Sequence, residues 1–236
     1  MISLVIPLYN EQDNVRALKA KLDAFFVDFR QPYEVILVND GSTDGTLSLL
    51  KQICEVGYKI ITYPRNRGKG YALRRGVRLA EGEYVFYTDA DLTYGLDVIP
   101  RALKIFEKWK CDMVIGTRHP VSGEDQENAA PEQAGMFSHA LAMLIRGYLR
   151  IAATDSLCGF KGFRKEVAKH LFSKCRVDGF GIDFEVLYLA AAEHVEVREL
   201  AASPVNCGRP SRKPVRDTLH IVQEMREVRR LHRRKR

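Results

Sequence analysis

Apolar and polar residues alternate in short blocks along the first half of the chain. Ile2, Leu4, Val5 and Ile6 form a β-rich run that Pro7 ends, which predicts a strand. Val15, Leu18, Leu22, Phe25 and Phe29 then recur at the spacing of one helix face. Residues 35–38 are a second apolar run, closed by Asn39-Asp40-Gly41-Ser42. A helix is expected from about Thr43 or Asp44, burying Leu47, Leu50 and Cys54. Residues 59–63, 84–88 and 113–116 predict further strands, with helices over 71–79 and Val98–Trp109. This alternation predicts an α/β fold, with parallel strands joined by right-handed crossovers. Ligands of such sheets bind at the carboxyl ends of the strands. That rule singles out residues 7–11, 39–44, 65–69 and 89–91.

The second half is less regular. Residues 119–135 form a polar, acidic stretch with Gly and Pro, long enough for a functional or mobile loop. Helices are expected over 137–152 and 183–194, a strand over 160–163, and an extended segment over 195–200. From Val215 onward Leu219, Val222, Met225, Val228 and Leu231 step by three or four, an apolar stripe on a basic helix.

Composition narrows the class. With 236 residues, 46% apolar and 28% charged, the chain has an ordinary globular balance and enough length for a sizeable core. Apolar stretches such as 136–145 fall short of the roughly 18 residues that suggest a membrane span. Met1 leads directly into the first strand, so no signal peptide is expected. The five cysteines are scattered, odd in number and without a C-x-x-C pair. A zinc site or disulfide framework is therefore not expected, and a reducing, cytoplasmic compartment is.

The net charge of +7 is unevenly distributed. Residues 209–236 hold 11 Lys or Arg and 3 Asp or Glu, leaving 26 basic and 27 acidic residues in 1–208. Residues 1–208 are thus expected to form a near-neutral catalytic domain and 209–236 a basic amphipathic tail. An apolar stripe flanked by Arg suits an anionic membrane surface or a membrane partner protein. The alternative is a helix packed on the domain with its Arg run solvated. Nucleic acid is not expected, because the body shows no aromatic-plus-basic platform.

Four segments carry candidate chemistry. In Asp89-Ala90-Asp91 an extended backbone would point both carboxylates to one side. Such a pair suits Mg²⁺ or Mn²⁺ when substrate phosphates complete the shell; an acidic turn or helix N-cap is the simpler reading. In Asn39-Asp40-Gly41-Ser42-Thr43-Asp44-Gly45-Thr46, turn and cap chemistry explains Gly, Ser and Thr. Asp40 is left over, placed where it could accept from a base N–H. In Pro7-Leu8-Tyr9-Asn10-Glu11, Tyr9 could stack on a nucleobase or simply pack, and Glu11 could bond the nucleoside. Arg65-Asn66-Arg67-Gly68-Lys69-Gly70 looks suited to phosphate, with Lys69 at its centre. It is neither a P-loop nor a dinucleotide fingerprint, since no Ser or Thr follows Lys69 and Leu73 holds the third glycine position. A nucleotidyltransferase would need a glycine-rich first loop, and residues 4–10 have no glycine.

Taken in order, these four segments resemble the family 2 glycosyltransferases. The resemblance implies a GT-A type α/β fold with a mostly parallel sheet, and transfer from a nucleotide-diphospho-sugar with inversion. Gly116-Thr117-Arg118, the segment from Asp155 to Lys161, and Asp183-Phe184-Glu185 resemble the dolichyl- and polyprenyl-phosphate hexose synthases, the glucose type more than the mannose type. Carried over, this puts Pro7, Tyr9, Glu11, Val38 and Asp40 around the nucleoside. Asp89, Ala90 and Asp91 would hold the diphosphate and the Mg²⁺ or Mn²⁺. Thr93 stands where the mannose synthases have a Gln metal ligand. Arg118, and Lys213 in the basic segment, would bind phosphate. The implied donor is UDP-glucose, with GDP-mannose next, and the acceptor a lipid phosphate presented at the cytoplasmic membrane face. A phosphate acceptor is already anionic and needs no strong base. A hydroxyl acceptor would need one, for which Asp183 is the candidate unless it caps its helix.

Overall fold

Along the first strand, β1 (Ile2–Leu8), Ile2, Leu4, Ile6 and Leu8 face one side of the sheet while Val5 faces the other. Both faces are therefore covered, as parallel sheets require. A computed structural model describes residues 1–54, 57–118, 136–205 and 214–232 of the chain. The order continues with α1 (Val15–Phe26), β2 (Tyr33–Asn39), α2 (Thr46–Ile53), β3 (Tyr58–Thr62), α3 (Lys69–Leu79) and β4 (Tyr84–Tyr87). Then come α4 (Val98–Trp109), β5 (Met113–Thr117), α5 (Met136–Leu149), β6 (Lys161–Arg164), α6 (Lys165–Lys174), α7 (Ile182–Ala192), β7 (Val197–Ala201) and α8 (Pro214–His232).

The seven strands lie in the order β3-β2-β1-β4-β6-β5-β7. All run parallel except β6, which pairs antiparallel with β4 and β5. This is the mostly parallel sheet that the family resemblance implies, with β6 the one reversed strand among the described residues. Helices α1, α2 and α4 bury Leu18, Leu50 and Phe106 on one face of the sheet. On the other, α3, α5, α6, α7 and α8 contribute Leu73, Ile145, Leu171, Phe184 and Val228.

Two helix faces differ from their expected form. The stripe on α1 runs through Val15, Leu18, Leu22 and Phe26, not Phe25, and the helix stops before Phe29. Helix α2 starts at Thr46 and buries Thr46 and Leu50, with Leu47 and Cys54 only half-buried. Residues 43–45 are instead held by another loop.

The apolar stripe of α8 does not stand free. Met225 and Val228 are buried in the core that α5 and α7 share, with Val222 and Leu231 packed against it. Each fully buried side chain of this size contributes roughly 1.5–3 kcal/mol. Of the two readings of the basic helix, packing on the domain is the one that its apolar side follows; Arg226, Arg229 and Arg230 remain exposed. Among the described residues no helix is long and apolar enough to cross a membrane. The 119–135 loop and Lys213 lie outside the described residues.

Candidate active site at the carboxyl ends of β1, β2 and β4

Three loops meet where β1, β2 and β4 end. The first two are tied by reciprocal bonds between side chains and backbone. Ser42 Oγ accepts the Asn10 N–H at 3.0 Å, and Asn10 Oδ1 accepts that of Thr43 at 2.9 Å. Thr46 Oγ1 accepts from Glu11 N at 2.8 Å, and Gln12 Oε1 from Gly45 N at 2.8 Å. The Ser, Thr and Asp residues of the second loop thus satisfy backbone donors of the first as well as their own turn. Asn14 brings in the third loop, donating to Glu11 Oε2 at 3.2 Å and to the Ala90 carbonyl at 3.0 Å.

This rim holds several of the expected residues together. Tyr9 is 45% exposed at the end of β1, with its ring open to a ligand. Pro7 is half-buried, and Ala90 buried with its carbonyl engaged by Asn14. Asp91 is exposed, and its Oδ1 accepts the Thr93 N–H at 2.9 Å. Burial raises the Glu11 carboxyl above its ordinary range; the Asn14 bond opposes this, and Asp91, Asp44 and Asp89 add to it. The rim therefore carries a local excess of negative charge.

Other expected residues are engaged differently. Val38 is fully buried in the core, so its side chain cannot line a nucleoside site. Asp40 clamps the next motif: its carboxylate accepts from Asn66 Nδ2, Arg67 N and Gly68 N, each at 2.8 Å. Those bonds use three of the roughly four acceptor positions of a carboxylate. Gly68, at φ 100°, and Gly70 lie directly against the backbone of residues 177–179, where a Cβ would collide. Their lack of side chains serves that contact.

Beneath the rim lies a buried ion network. Lys69, at the start of α3, places its ammonium 2.8 Å from Asp89 Oδ1 and 2.7 Å from Asp183 Oδ2. Asp183 lies in the first turn of α7 and caps nothing. Its other oxygen accepts the Tyr87 hydroxyl at 2.9 Å, with Lys161 Nζ at 3.6 Å. Lys161, directly across the strand pair from Tyr87, also donates to the Cys158 carbonyl at 2.7 Å. Burial alone would raise the Asp183 carboxyl, but Lys69 and Lys161 override it and hold the group below the usual carboxylate range. Burial would lower the Lys69 ammonium, yet Asp183 and Asp89 raise it above its ordinary value. Burial, then Asp183, drives the Tyr87 phenol well upward.

Arg118 differs from its expected posture as well. Its guanidinium forms a fork on the buried Asp155, with Nε–Oδ2 at 2.6 Å and Nη2–Oδ1 at 2.9 Å. Burial would raise the Asp155 carboxyl, and the Arg118 fork brings it below its ordinary value. Arg118 is thus held at the end of β5 by a partner that would have to share it with a phosphate.

The donor chemistry fits a divalent cation at Asp91 and Asp89: both are hard oxygen ligands, and the crowding felt by Glu11 is what a cation would relieve. Among the described residues no group of three or more His, Cys, Asp or Glu is arranged to hold a metal ion. The remaining ligands would then come from substrate phosphate and water. Thr93 meets Asp91 through its backbone N–H.

Tyr87, Lys161 and Asp155 are the residues that motif reading missed as members of the site. Tyr87 and Lys161 sit on neighbouring strands, and neither strand's own residues show that the two meet at Asp183. Only the antiparallel insertion of β6 brings them together. An unpaired-looking Lys in a β run, Phe160-Lys161-Gly162-Phe163, was the available signal.

Residues 3–172 match the model of "Glycosyl transferase family 2". The chain is 25% identical to dolichyl-phosphate β-glucosyltransferase of Dictyostelium discoideum, over 97% of this chain and 73% of that one. It is 28% identical to the Homo sapiens protein of that name and 30% to that of Drosophila melanogaster, over 86% and 85% of this chain. It spans about two thirds of their lengths, 66% and 65%. Among solved structures it resembles glucosyl-3-phosphoglycerate synthase from Mycobacterium tuberculosis in complex with Mn²⁺, UDP and glucosyl-3-phosphoglycerate. There the TM-score is 0.67 and the identity 18%, over 97% of this chain and 79% of that one. At that identity the likeness is one of fold, and the fold is the GT-A type.

Proposed function

The chain belongs to glycosyl transferase family 2, and we propose that it transfers glucose, with inversion, from UDP-glucose to a dolichyl or polyprenyl phosphate. The observation that carries this reading is the state of Asp183. A general base must have a free oxygen and a pKa near the working pH. Asp183 has Lys69 on one oxygen, Tyr87 and Lys161 on the other, and a depressed pKa. A hydroxyl acceptor would find no base there, whereas a phosphate acceptor brings its own anionic oxygen. The glucosyl-transfer names of the relatives support the same choice of donor sugar and lipid.

In this reading Tyr9 stacks on the uracil and Glu11 bonds the nucleoside, with the diphosphate lying towards Asp91. An acceptor phosphate oxygen attacks the anomeric carbon as the bond from that carbon to the diphosphate oxygen breaks. UDP departs with the electron pair, and no proton need be removed from the acceptor. Mg²⁺ or Mn²⁺ bound at Asp91 and Asp89 would neutralise charge on the leaving diphosphate. Lys69 fixes Asp89, so that this carboxylate is oriented before substrate arrives. Arg118 stands ready to exchange one arm of its Asp155 fork for phosphate. The exposed Arg226, Arg229 and Arg230 meet the anionic cytoplasmic surface where the lipid lies.

The test is product analysis with polyprenyl phosphate and Mn²⁺, offering UDP-glucose and GDP-mannose in parallel. A chloroform-soluble glucosyl phosphate that forms only with UDP-glucose is expected. Transfer to a hydroxyl-bearing lipid but not to the phosphate would overturn the reading.

A further inference from the structure

Helix α8 reaches the ion network through one carboxylate. Glu224 accepts the Gly181 N–H at 2.7 Å, and Gly179 lies so close to its Oε1 that any Cβ there would collide. The segment held in this way, residues 176–181, in turn holds the first turn of α3. Gly70 donates to the carbonyls of Asp178 at 2.7 Å and Gly179 at 3.1 Å, and Tyr71 to that of Asp178 at 3.2 Å. Arg74 donates to the Val177 carbonyl at 2.6 Å and pairs with Asp178. Lys69, between Gly68 and Gly70, carries the contact on to Asp89 and Asp183.

A second strut runs beside the first. Glu185, fully buried on α7, accepts from Arg176 N at 2.9 Å and Val177 N at 3.0 Å, and His232 of α8 meets it at 2.7 Å. Residues 176–181 are thus gripped from α7 and α8 on one side and grip α3 on the other.

We propose that Glu224 is a positioning residue for the sugar-transfer site: by fixing residues 178–181 it sets the first turn of α3, and with it the place of Lys69 between Asp89 and Asp183. The kinetic half of this rests on the reading above, while the coupling from α8 to α3 is a property of the fold. Hydrophobic packing of Met225 and Val228 would hold α8 on the domain without any acid. Glu224 sits on that same helix, yet its oxygens are aimed at a glycine-lined backbone turn. Gly179 and Gly181 offer no side chains there, so the backbone is held from outside, by Glu224 on one side and by Arg74 pairing with Asp178 on the other.

The experiment uses the full chain with Glu224→Ala and Glu224→Gln. Amide hydrogen exchange is read at Gly70 and Tyr71, with the amides of α4 as control. Glu224→Ala is expected to speed exchange at Gly70 and Tyr71 by at least tenfold and leave α4 unchanged. Glu224→Gln, whose amide oxygen still accepts from Gly181, should change it less than threefold. In turnover with UDP-glucose and polyprenyl phosphate, Glu224→Ala should lower kcat by tenfold or more, with KM for the donor within twofold. Exchange at Gly70 and Tyr71 equal to wild type, or raised equally in α4, would overturn the coupling. A wild-type chain that transfers no sugar while the exchange pattern appears would overturn the proposed reaction and still support the coupling. If Glu224→Ala does not fold, Glu224→Asp, which withdraws the carboxylate by one methylene, is expected to give the same exchange pattern, and wild-type exchange there would overturn it.

Discussion

At the rim of the site Tyr9, Asn10 and Asp91 stand in solvent on loops tied by short neutral hydrogen bonds. On its floor Lys69, Lys161, Asp183 and Tyr87 are buried, and each is held by a charge or hydroxyl from a different element. The two regions divide the requirements of the site. Rim groups stand exposed, where a ligand can reach them. Floor groups cannot move without leaving a buried charge uncompensated, so they fix geometry and stability at once.

The sharpest way to break that division is Lys161→Met. It removes a buried cation that faces Asp183 and should cost about 3–5 kcal/mol, read as a lower urea midpoint at unchanged slope. A cost below about 1 kcal/mol would mean the floor is not a single network. On the rim, Asp91→Ala should lower sugar transfer by roughly a hundredfold or more while thermal unfolding stays within about 2 °C of wild type. An equal fall in stability would erase the distinction.

Tyr9→Ala sharpens the rim further. Loss of one base–aromatic stack, worth about 1–3 kcal/mol, should raise KM for the nucleotide sugar about fivefold to a hundredfold with kcat little changed. The smallest expected effect concerns Glu224 on α8, which reaches the floor only through residues 179–181. Burial, opposed by the Gly181 N–H and reinforced by Glu227 and Asp183, pushes the Glu224 carboxyl up to about 7 from its ordinary value of 4.5. The folded state therefore binds this proton more tightly than the unfolded chain. Its stabilising contribution is complete below about pH 4.5 and is lost as pH rises through 7. Discounted for partial exposure, that is about 1–2 kcal/mol. Glu224→Gln should flatten this part of the curve of unfolding free energy against pH.

Much of the rim was legible in the sequence, because turn residues announce strand ends and strand ends locate sites in parallel sheets. Tyr9, Glu11, Asp89 and Asp91 were placed at strand ends in this way, where the structure has them. What local reading could not supply was which groups those residues would bind first. Asp40 and Arg118 looked available for ligand. Their partners, the Asn66 side chain with the Arg67 and Gly68 N–H groups and, for Arg118, Asp155, lie 26 to 37 residues away. Val38 was named from a motif, but its place in the β2 pleat turns it into the core. The parallel strands followed from alternation, and the strand expected over 160–163 is β6; its reversed direction did not follow, since four residues containing a Lys and a Gly carry no sign of which way the strand runs. In the basic helix, spacing correctly marked Met225 and Val228 as one face but was silent on what that face would meet.

The reversed strand has a consequence for how the chain is made. Although β4 and β5 follow one another in sequence, they are not neighbours in the sheet; β6, with residues 161–164, lies between them. As the polypeptide leaves the ribosome, β1 to β4 can assemble with their helices while β5 has no edge to join. Only when β6 emerges can it zip onto β4 and receive β5, after which β7 closes the far edge. The same event that completes the sheet delivers Lys161 to Tyr87. Until then the growing chain carries an open strand edge and an unfinished site, which makes residues 113–164 the window in which a nascent-chain chaperone has most to protect.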